Sequence, residues 1–169
     1  MRALGAESAE AVRVFFTGGA TAVLYGWRES TIDVDILMVP EDDRLYRALP
    51  ALKERLQINV EIASPADFIP ALPGWESRSA FIAREGLVSY HHYDLYSQAL
   101  AKIERGHAQD ALDVREMFRR GLVDAERLRA LFEQVEPGLY RFPAIDPTAF
   151  RRAVEQAIAE ARSGSEGPP

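Results

Sequence analysis

The chain contains no cysteine, which excludes disulfides, thiolate nucleophiles and cysteine-ligated metals and fits a reducing compartment. Lysine is nearly absent too: Lys53 and Lys102 are the only two among 20 basic residues, so lysine is not the ordinary surface cation here. No apolar run approaches the ~20 residues of a membrane-spanning helix. The first ten residues carry acids where a signal peptide would be apolar, so the expectation is a cytoplasmic protein with no membrane contact. Basic charge is also short, 20 residues against 26 acids, and the net −6 repels polyanions everywhere except at a local basic patch. What remains is ordinary globular material, 169 residues that are 47% hydrophobic and 27% charged, which excludes a disordered or collagen-like chain and suits about one domain.

Apolar periodicity divides the chain into two styles. A β-branched and aromatic run over 12–17 stops at Gly18-Gly19 and reads as a buried strand, followed by a short helix over 20–25 that Gly26 closes. Further strands are expected over 32–39 and 58–63, with a helix over 41–56 that Pro50 kinks or splits. Residues 64–75 are turn-rich, and 80–83 with 87–90 read as a hairpin. From Asp94 the period becomes helical, with breaks at Gly106 and Gly121, a helix capped by Asp124 and a last one opened by Pro147 and running to 162. The expected fold class is α+β, a small mixed β-sheet flanked by helices with an α-helical C-terminal half. In those terms 1–93 form a catalytic core, 94–162 a helical part packed on the same domain, and 163–169 a flexible tail.

Asp33-Val34-Asp35 gives the strongest chemical signal. Two residues apart on a strand, both carboxylates project to one face while Ile32, Val34 and Ile36 fill the other. Carboxylates held so close repel unless a cation neutralises them. Mg²⁺, held by one or two carboxylates plus substrate phosphate oxygens, suits the pair; standing alone, the plainer reading is two solvated acids on an exposed strand face. The pair has company. Gly18-Gly19 ends one strand and opens a helix, where missing side chains let an anion approach backbone N–H groups. Glu61 lies on the polar side of the next strand, so if the three strands are neighbours Asp33, Asp35 and Glu61 converge beside the glycines, as a two-metal transfer site requires.

Gly18-Gly19-Ala20-Thr21-Ala22, followed by Gly26-Trp27-Arg28-Glu29-Ser30-Thr31-Ile32-Asp33-Val34-Asp35, resembles the first motif of the minimal nucleotidyltransferases of the polymerase-beta superfamily, in particular the abortive-infection toxin nucleotidyltransferases and their small bacterial relatives. Lys102-Ile103-Glu104-Arg105, followed by Asp110-Ala111-Leu112-Asp113, is similar to a second motif of that family. The resemblance implies a nucleotidyltransferase fold and transfer of a nucleoside monophosphate from an NTP, ATP included, to an acceptor hydroxyl, with tRNA or a protein as acceptor and a cognate antitoxin as partner. It implies two Mg²⁺ or Mn²⁺ ions on Asp33, Asp35 and Glu61, nucleotide phosphates on Gly18 and Gly19, and Lys102 on the triphosphate. Asp110 and Asp113 would position that lysine or touch the base or acceptor. Thr21, beside the glycines, joins the nucleotide-binding set through its hydroxyl, although turn hydroxyls more often bond local backbone. Asp67 competes with Glu61 as third metal ligand, and Gln109 stands where relatives often carry Lys or Arg.

Each of these residues also has a plainer role. Lys102 can be a helix residue paired with a nearby acid, and Asp110 and Asp113 can be first-turn acids favoured by a helix dipole. Arg28 is expected to anchor the loop before the acidic strand. His91 and His92 on one strand point to opposite faces, which argues against a zinc site, and the glycine turn lacks the spacing of a dinucleotide fingerprint. Arg115, Arg119, Arg120, Arg127 and Arg129 give the helical half a basic bias that RNA could use. The competing function class is an inactive nucleotidyltransferase-fold module that binds or regulates.

Overall fold

The computed structural model describes the backbone of residues 1–165 and the side chains through residue 163. In chain order the elements are α1 (Arg2–Gly5), β1 (Val12–Thr17), α2 (Gly18–Tyr25), β2 (Asp33–Val39), α3 (Asp43–Leu56), β3 (Asn59–Ile62), a 3-10 turn (Pro65–Asp67), α4 (Trp75–Arg78), β4 (Phe81–Glu85) and β5 (Val88–His92). Then follow α5 (Leu95–Arg105), α6 (Ala108–Arg119), α7 (Ala125–Val135), a 3-10 segment (Glu136–Arg141) and α8 (Pro147–Ser165). The architecture is α+β. Two compact units divide it: a sheet unit of Met1–Ser64 with Glu76–Tyr93, and a helical unit of Pro65–Trp75 with the chain from Asp94 onward.

The sheet has five strands in the order β3-β2-β1-β5-β4 and is mixed, with β1 antiparallel to β2 and parallel to β5, and β2 parallel to β3. Alternation on β1 sends Val12, Val14 and Phe16 to one face, where they pack with Ile36, Met38, Val88, Tyr90 and the α3 residues Leu45 and Leu49. Burying each such leucine contributes roughly 1.5–3 kcal/mol. Asp42 caps α3 by accepting from the Arg44 and Leu45 N–H groups at 2.8 and 3.1 Å. Of the two expectations at Pro50, a split is overturned: α3 is a single 14-residue element with Pro50 inside it. Leu45 and Leu49 precede the proline and Leu52 follows it on the same buried face, and their packing offsets the ~3 kcal/mol that an interior proline costs.

The opposite face of β1 carries Arg13, Phe15 and Thr17. Phe15 is fully buried, its ring 5.3 Å from that of His91 and 6.2 Å from that of Tyr93. His92 turns the other way, to Thr21 and Tyr25, so the two histidines do part to opposite faces. Sequence reading missed α1, too short to show a period; it lies so close to β4 that a Cβ on Gly5 would sit 2.6 Å from the Glu85 carbonyl oxygen.

In the helical unit Asp124 caps α7 as expected, and Asp146 caps the start of α8. Asp124 Oδ1 accepts from the Arg127 N–H at 2.8 Å, and Asp146 Oδ1 accepts from those of Thr148 and Ala149. Gly106 ends α5 in the left-handed conformation at φ +68°. Leu128, Phe132, Phe150, Val154 and Ile158 are buried, with the rings of Phe132 and Phe150 edge to face at 5.0 Å. The last helix continues to Ser165, so 163–165 of the expected tail are helical, and 166–169 lie outside the described residues. Among the described residues, no helix is long and apolar enough to cross a membrane.

Candidate active site

The strand ladder supplies the first test of convergence. Asp33 is opposite Asn59 and Asp35 opposite Glu61 in the parallel β2–β3 pairing, while Thr17 is opposite Asp35 on β1. Opposed residues share a face, so Asp33, Asp35, Asn59, Glu61 and Thr17 all project to one side of the sheet. Asp33 and Glu61 are exposed and Asp35 is half-buried. Asn59 ties two of these acids together: its Nδ2 donates to Asp33 Oδ1 at 3.1 Å and to Glu61 Oε1 at 2.8 Å. Among the described residues, no group of three or more His, Asp or Glu side chains is placed to hold a metal ion. The acids meet as a pair across an amide, with Asp35 beside them on the same face.

The diglycine bend reaches the same acids. Gly18, the first residue of α2, has φ +59°, and a Cβ there would lie 2.7 Å from Asp35 Oδ2. Gly19 lacks a side chain for a different reason: a Cβ would sit 2.5 Å from Thr31 Oγ1 and 3.4 Å from Arg28 Nη1. Both glycines therefore make room for polar side chains of the segment that leads into and forms β2. Thr31 in turn donates its hydroxyl to the Asp33 carbonyl at 2.9 Å, fixing that entry. Thr17, the residue before α2, makes no side-chain cap, and the carboxylate of Asp35 lies at the positive end of the helix.

Thr21 needs correction. It is fully buried, donates its hydroxyl to the Phe16 carbonyl at 3.1 Å and meets His92 Nδ1 at 3.3 Å, so it faces the interior of the sheet unit and presents no hydroxyl to a nucleotide. Helical spacing explains this, since one turn of α2 puts Thr21 on its buried side with Ala20 and Ala22. His92, pressed against the Tyr25 ring at 4.3 Å, is driven by burial to a pKa of about 4. Asp67 belongs to the 3-10 turn of the helical unit and not to the sheet that carries Glu61.

The second motif folds into a network of its own. Lys102 is 5% exposed, and its ammonium donates to Asp110 at 3.1 Å and to Asp113 at 2.6 Å. Arg105 adds a two-pronged pair to Asp110 at 2.7 and 2.6 Å. Burial alone would raise the Asp110 carboxyl, but hydrogen bonds and charge from Arg105 and Lys102 hold it below the usual carboxylate range. The residues expected to position Lys102 do hold it, and they hold it fixed.

Over residues 1–160 the sequence matches the family described as a nucleotidyltransferase of unknown function (DUF6036). The chain belongs to this nucleotidyltransferase family. The match spans the sheet acids and the lysine network alike, so both compact units are family property. No curated protein and no solved structure matches the chain.

In this member of the family two polar residues of the candidate site escaped sequence reading. Asn59 was legible, because it alternates in phase with Glu61, but amides carry no charge signal. Thr31 was not, since only the fold brings it over Gly19. The basic bias of the helices is largely neutralised: Arg119 and Arg120 both pair with Glu116, Arg129 pairs with Glu126 and Glu155, and Arg127 lies over the Tyr96 ring. A cavity of about 270 Å³ is lined by α5 with its cap Gly106, α6 and α8, with Lys102, Arg115, Phe118 and Gln156 in its wall. None of the sheet carboxylates lines it.

Proposed function

We propose that this nucleotidyltransferase moves a nucleoside monophosphate from an NTP to an acceptor hydroxyl at the β2–β3 face beside the diglycine bend. The transfer forms a bond between the acceptor oxygen and the α-phosphorus, breaks the α–β anhydride, and releases pyrophosphate and the hydroxyl proton. The observation that carries this reading is the Asp35 carboxylate lying against Gly18 while Asp33 and Glu61 share its face. Asp33, Asp35 and Glu61 are hard oxygen donors, the class that Mg²⁺ or Mn²⁺ takes together with water and phosphate oxygens, although as placed they form no three-ligand group among the described residues, so a divalent cation here rests on the resemblance and on that donor chemistry. Asp33, Asp35 and Glu61 would hold it. When bound, such an ion supplies positive charge that offsets charge developing on the phosphoryl oxygens.

The chain's own groups do the rest. Phosphate contact with backbone N–H groups of Gly18 and Gly19 is what the resemblance implies, at a bend where the space left by the missing side chains is taken up by Asp35, Thr31 and Arg28. Arg28, beside Gly19, brings a guanidinium to the same bend. The resemblance implies Lys102 on the triphosphate, while in the helical unit its ammonium donates to Asp110 and Asp113. The pairing of that lysine favours one second reading, a nucleotide-binding module without turnover. A tRNA acceptor and an antitoxin partner rest on the resemblance alone, and the paired arginines lend RNA binding little support.

Incubation with Mg²⁺ and each α-labelled NTP, with total RNA and total protein as acceptors, tests the proposal. Label transfer should fall at least about 100-fold in Asp33→Asn, because several kcal/mol of charge stabilisation is lost at about tenfold per 1.36 kcal/mol. Undiminished transfer in that variant sinks the site assignment. Saturable NTP binding without any transfer would favour the module.

A further inference from the structure

The cavity of the helical unit stays open because α8 walls it with Ala153, Ala157 and Ala161, one alanine per turn, where leucines would fill the space. Ile103 of α5 and Val114 and Phe118 of α6 complete an apolar body. Its volume, about 270 Å³, falls just below the roughly 300–1,000 Å³ of pockets for drug-sized ligands, which suits a smaller molecule. Two charges in the wall are unmatched. Lys102 is not one of them, since its ammonium faces Asp110 and Asp113. Arg115 is exposed and makes no hydrogen bond or ion pair among the described residues, whereas Arg119 and Arg120 on the next turn share Glu116. Glu160 is exposed too; its Oε1 accepts the Gln156 amide at 2.9 Å, and it pairs with no cation among the described residues. Elsewhere in this unit such groups find each other, Arg129 with Glu155, Arg151 with Glu136 and Arg162 with Glu126.

We propose that this cavity binds a free apolar α-amino acid, its carboxylate on the Arg115 guanidinium, its ammonium on Glu160 and its side chain among Ile103, Val114 and Phe118. A guanidinium offers a carboxylate two parallel N–H bonds, and the Glu160 oxygen outside the bond to Gln156 accepts from an ammonium. An apolar molecule with a single charge would leave one of the two side chains unmatched. A nucleoside triphosphate would set several negative charges against Glu160. The site belongs to the helical unit alone and is independent of the sheet acids.

The test titrates the full chain with L-phenylalanine, read by saturation transfer to the ligand's ring protons in NMR, beside phenylacetate and phenethylamine, each of which keeps one of the two charges. Phenylalanine should bind saturably with a Kd of about a millimolar, the level that about a dozen non-hydrogen atoms reach at ordinary ligand efficiency. Each single-charge analogue should bind about 3- to 10-fold more weakly, and Arg115→Gln and Glu160→Gln should each weaken phenylalanine by a similar factor, between the worth of an exposed ion pair and that of a charge-assisted bond. Arg115→Gln should leave phenethylamine binding unchanged, and Glu160→Gln should do the same for phenylacetate. Ala157→Leu should fill the cavity and abolish binding of all three. Arg115 and Glu160 are exposed, so their variants keep the test available if the leucine variant folds badly. Absence of saturable phenylalanine binding overturns the proposal. Phenylacetate binding as tightly as phenylalanine overturns the amino-acid class, and binding that none of these variants weakens overturns the site.

Discussion

In the helical unit Asp110 and Asp113 are 2% and 0% exposed and face Lys102 and Arg105, whereas on the sheet Asp33 and Glu61 stand in solvent and share one neutral amide. The two clusters use the same carboxylate chemistry to opposite ends. Two acids against two cations close the helical network electrically, and its buried bonds position α5 against α6. Asp33, Asp35 and Glu61 bring three acids to one sheet face with Arg28 the cation at the adjoining bend, an excess of negative charge that the helical network does not have. A closed network stabilises the fold, while an open one is available for a ligand.

Breaking the closed network should have the largest effect on stability. Lys102→Met removes the charge that two buried carboxylates share, and leaving a buried charge unpaired costs about 3–5 kcal/mol. Urea unfolding should show a loss of that order. A loss below about 1 kcal/mol would mean that the network is not closed in solution and would free Lys102 for a wholly catalytic role. Asp33→Asn should leave the urea midpoint almost unmoved.

Acid separates the two units next. His92 has a folded pKa of about 4 against an ordinary 6.5, so between those values the unfolded chain binds more protons and stability falls as pH falls. The shift corresponds to roughly 3 kcal/mol, present above the unfolded value and fully lost below the folded one. Asp110 has its pKa depressed, so its contribution is present above the unfolded carboxylate value and goes only as pH drops through the lower folded one. The sheet unit should weaken first in mild acid. The urea midpoint should fall less between about pH 7.5 and pH 4 in His92→Phe than in wild type; equal pH dependence would remove His92 as the cause.

Which parts of this were legible beforehand follows from what periodicity and charge can encode. The limits of β1, the left-handed glycine that closes α2, and the aspartate cap of α7 depend on local chemistry and were read from the sequence, whereas the equally local caps Asp42 and Asp146 were not. Asp33 and Asp35 sharing a face follows from strand period alone. The approach of Asp35 to Gly18 and of Thr31 to Gly19 depends on how β2 returns beside β1, which no local pattern contains. Thr21 misled because a hydroxyl next to a glycine turn looks available until the helix phase is known. Lys102 stood out by rarity, and rarity is silent about whether a charge turns to a ligand or to Asp113. The assignment of 65–75 to the helical unit, despite its place between two strands, is likewise a property of packing.

The smallest effect sharpens the comparison most cleanly, because it pits one exposed acid against another. Asp124 is exposed, like Glu61, but its Oδ1 accepts the Arg127 N–H at 2.8 Å and caps α7, while Glu61 meets only the Asn59 amide among the described residues. Loss of a cap costs about 1 kcal/mol, so Asp124→Ala should lower the urea midpoint slightly and leave nucleotide transfer untouched. Glu61→Gln keeps size and a hydrogen-bonding oxygen, so it should hold the midpoint and lower transfer instead. If both variants moved stability alone, Glu61 would join Asp124 as part of the scaffold, and the open cluster would shrink to the two acids of β2.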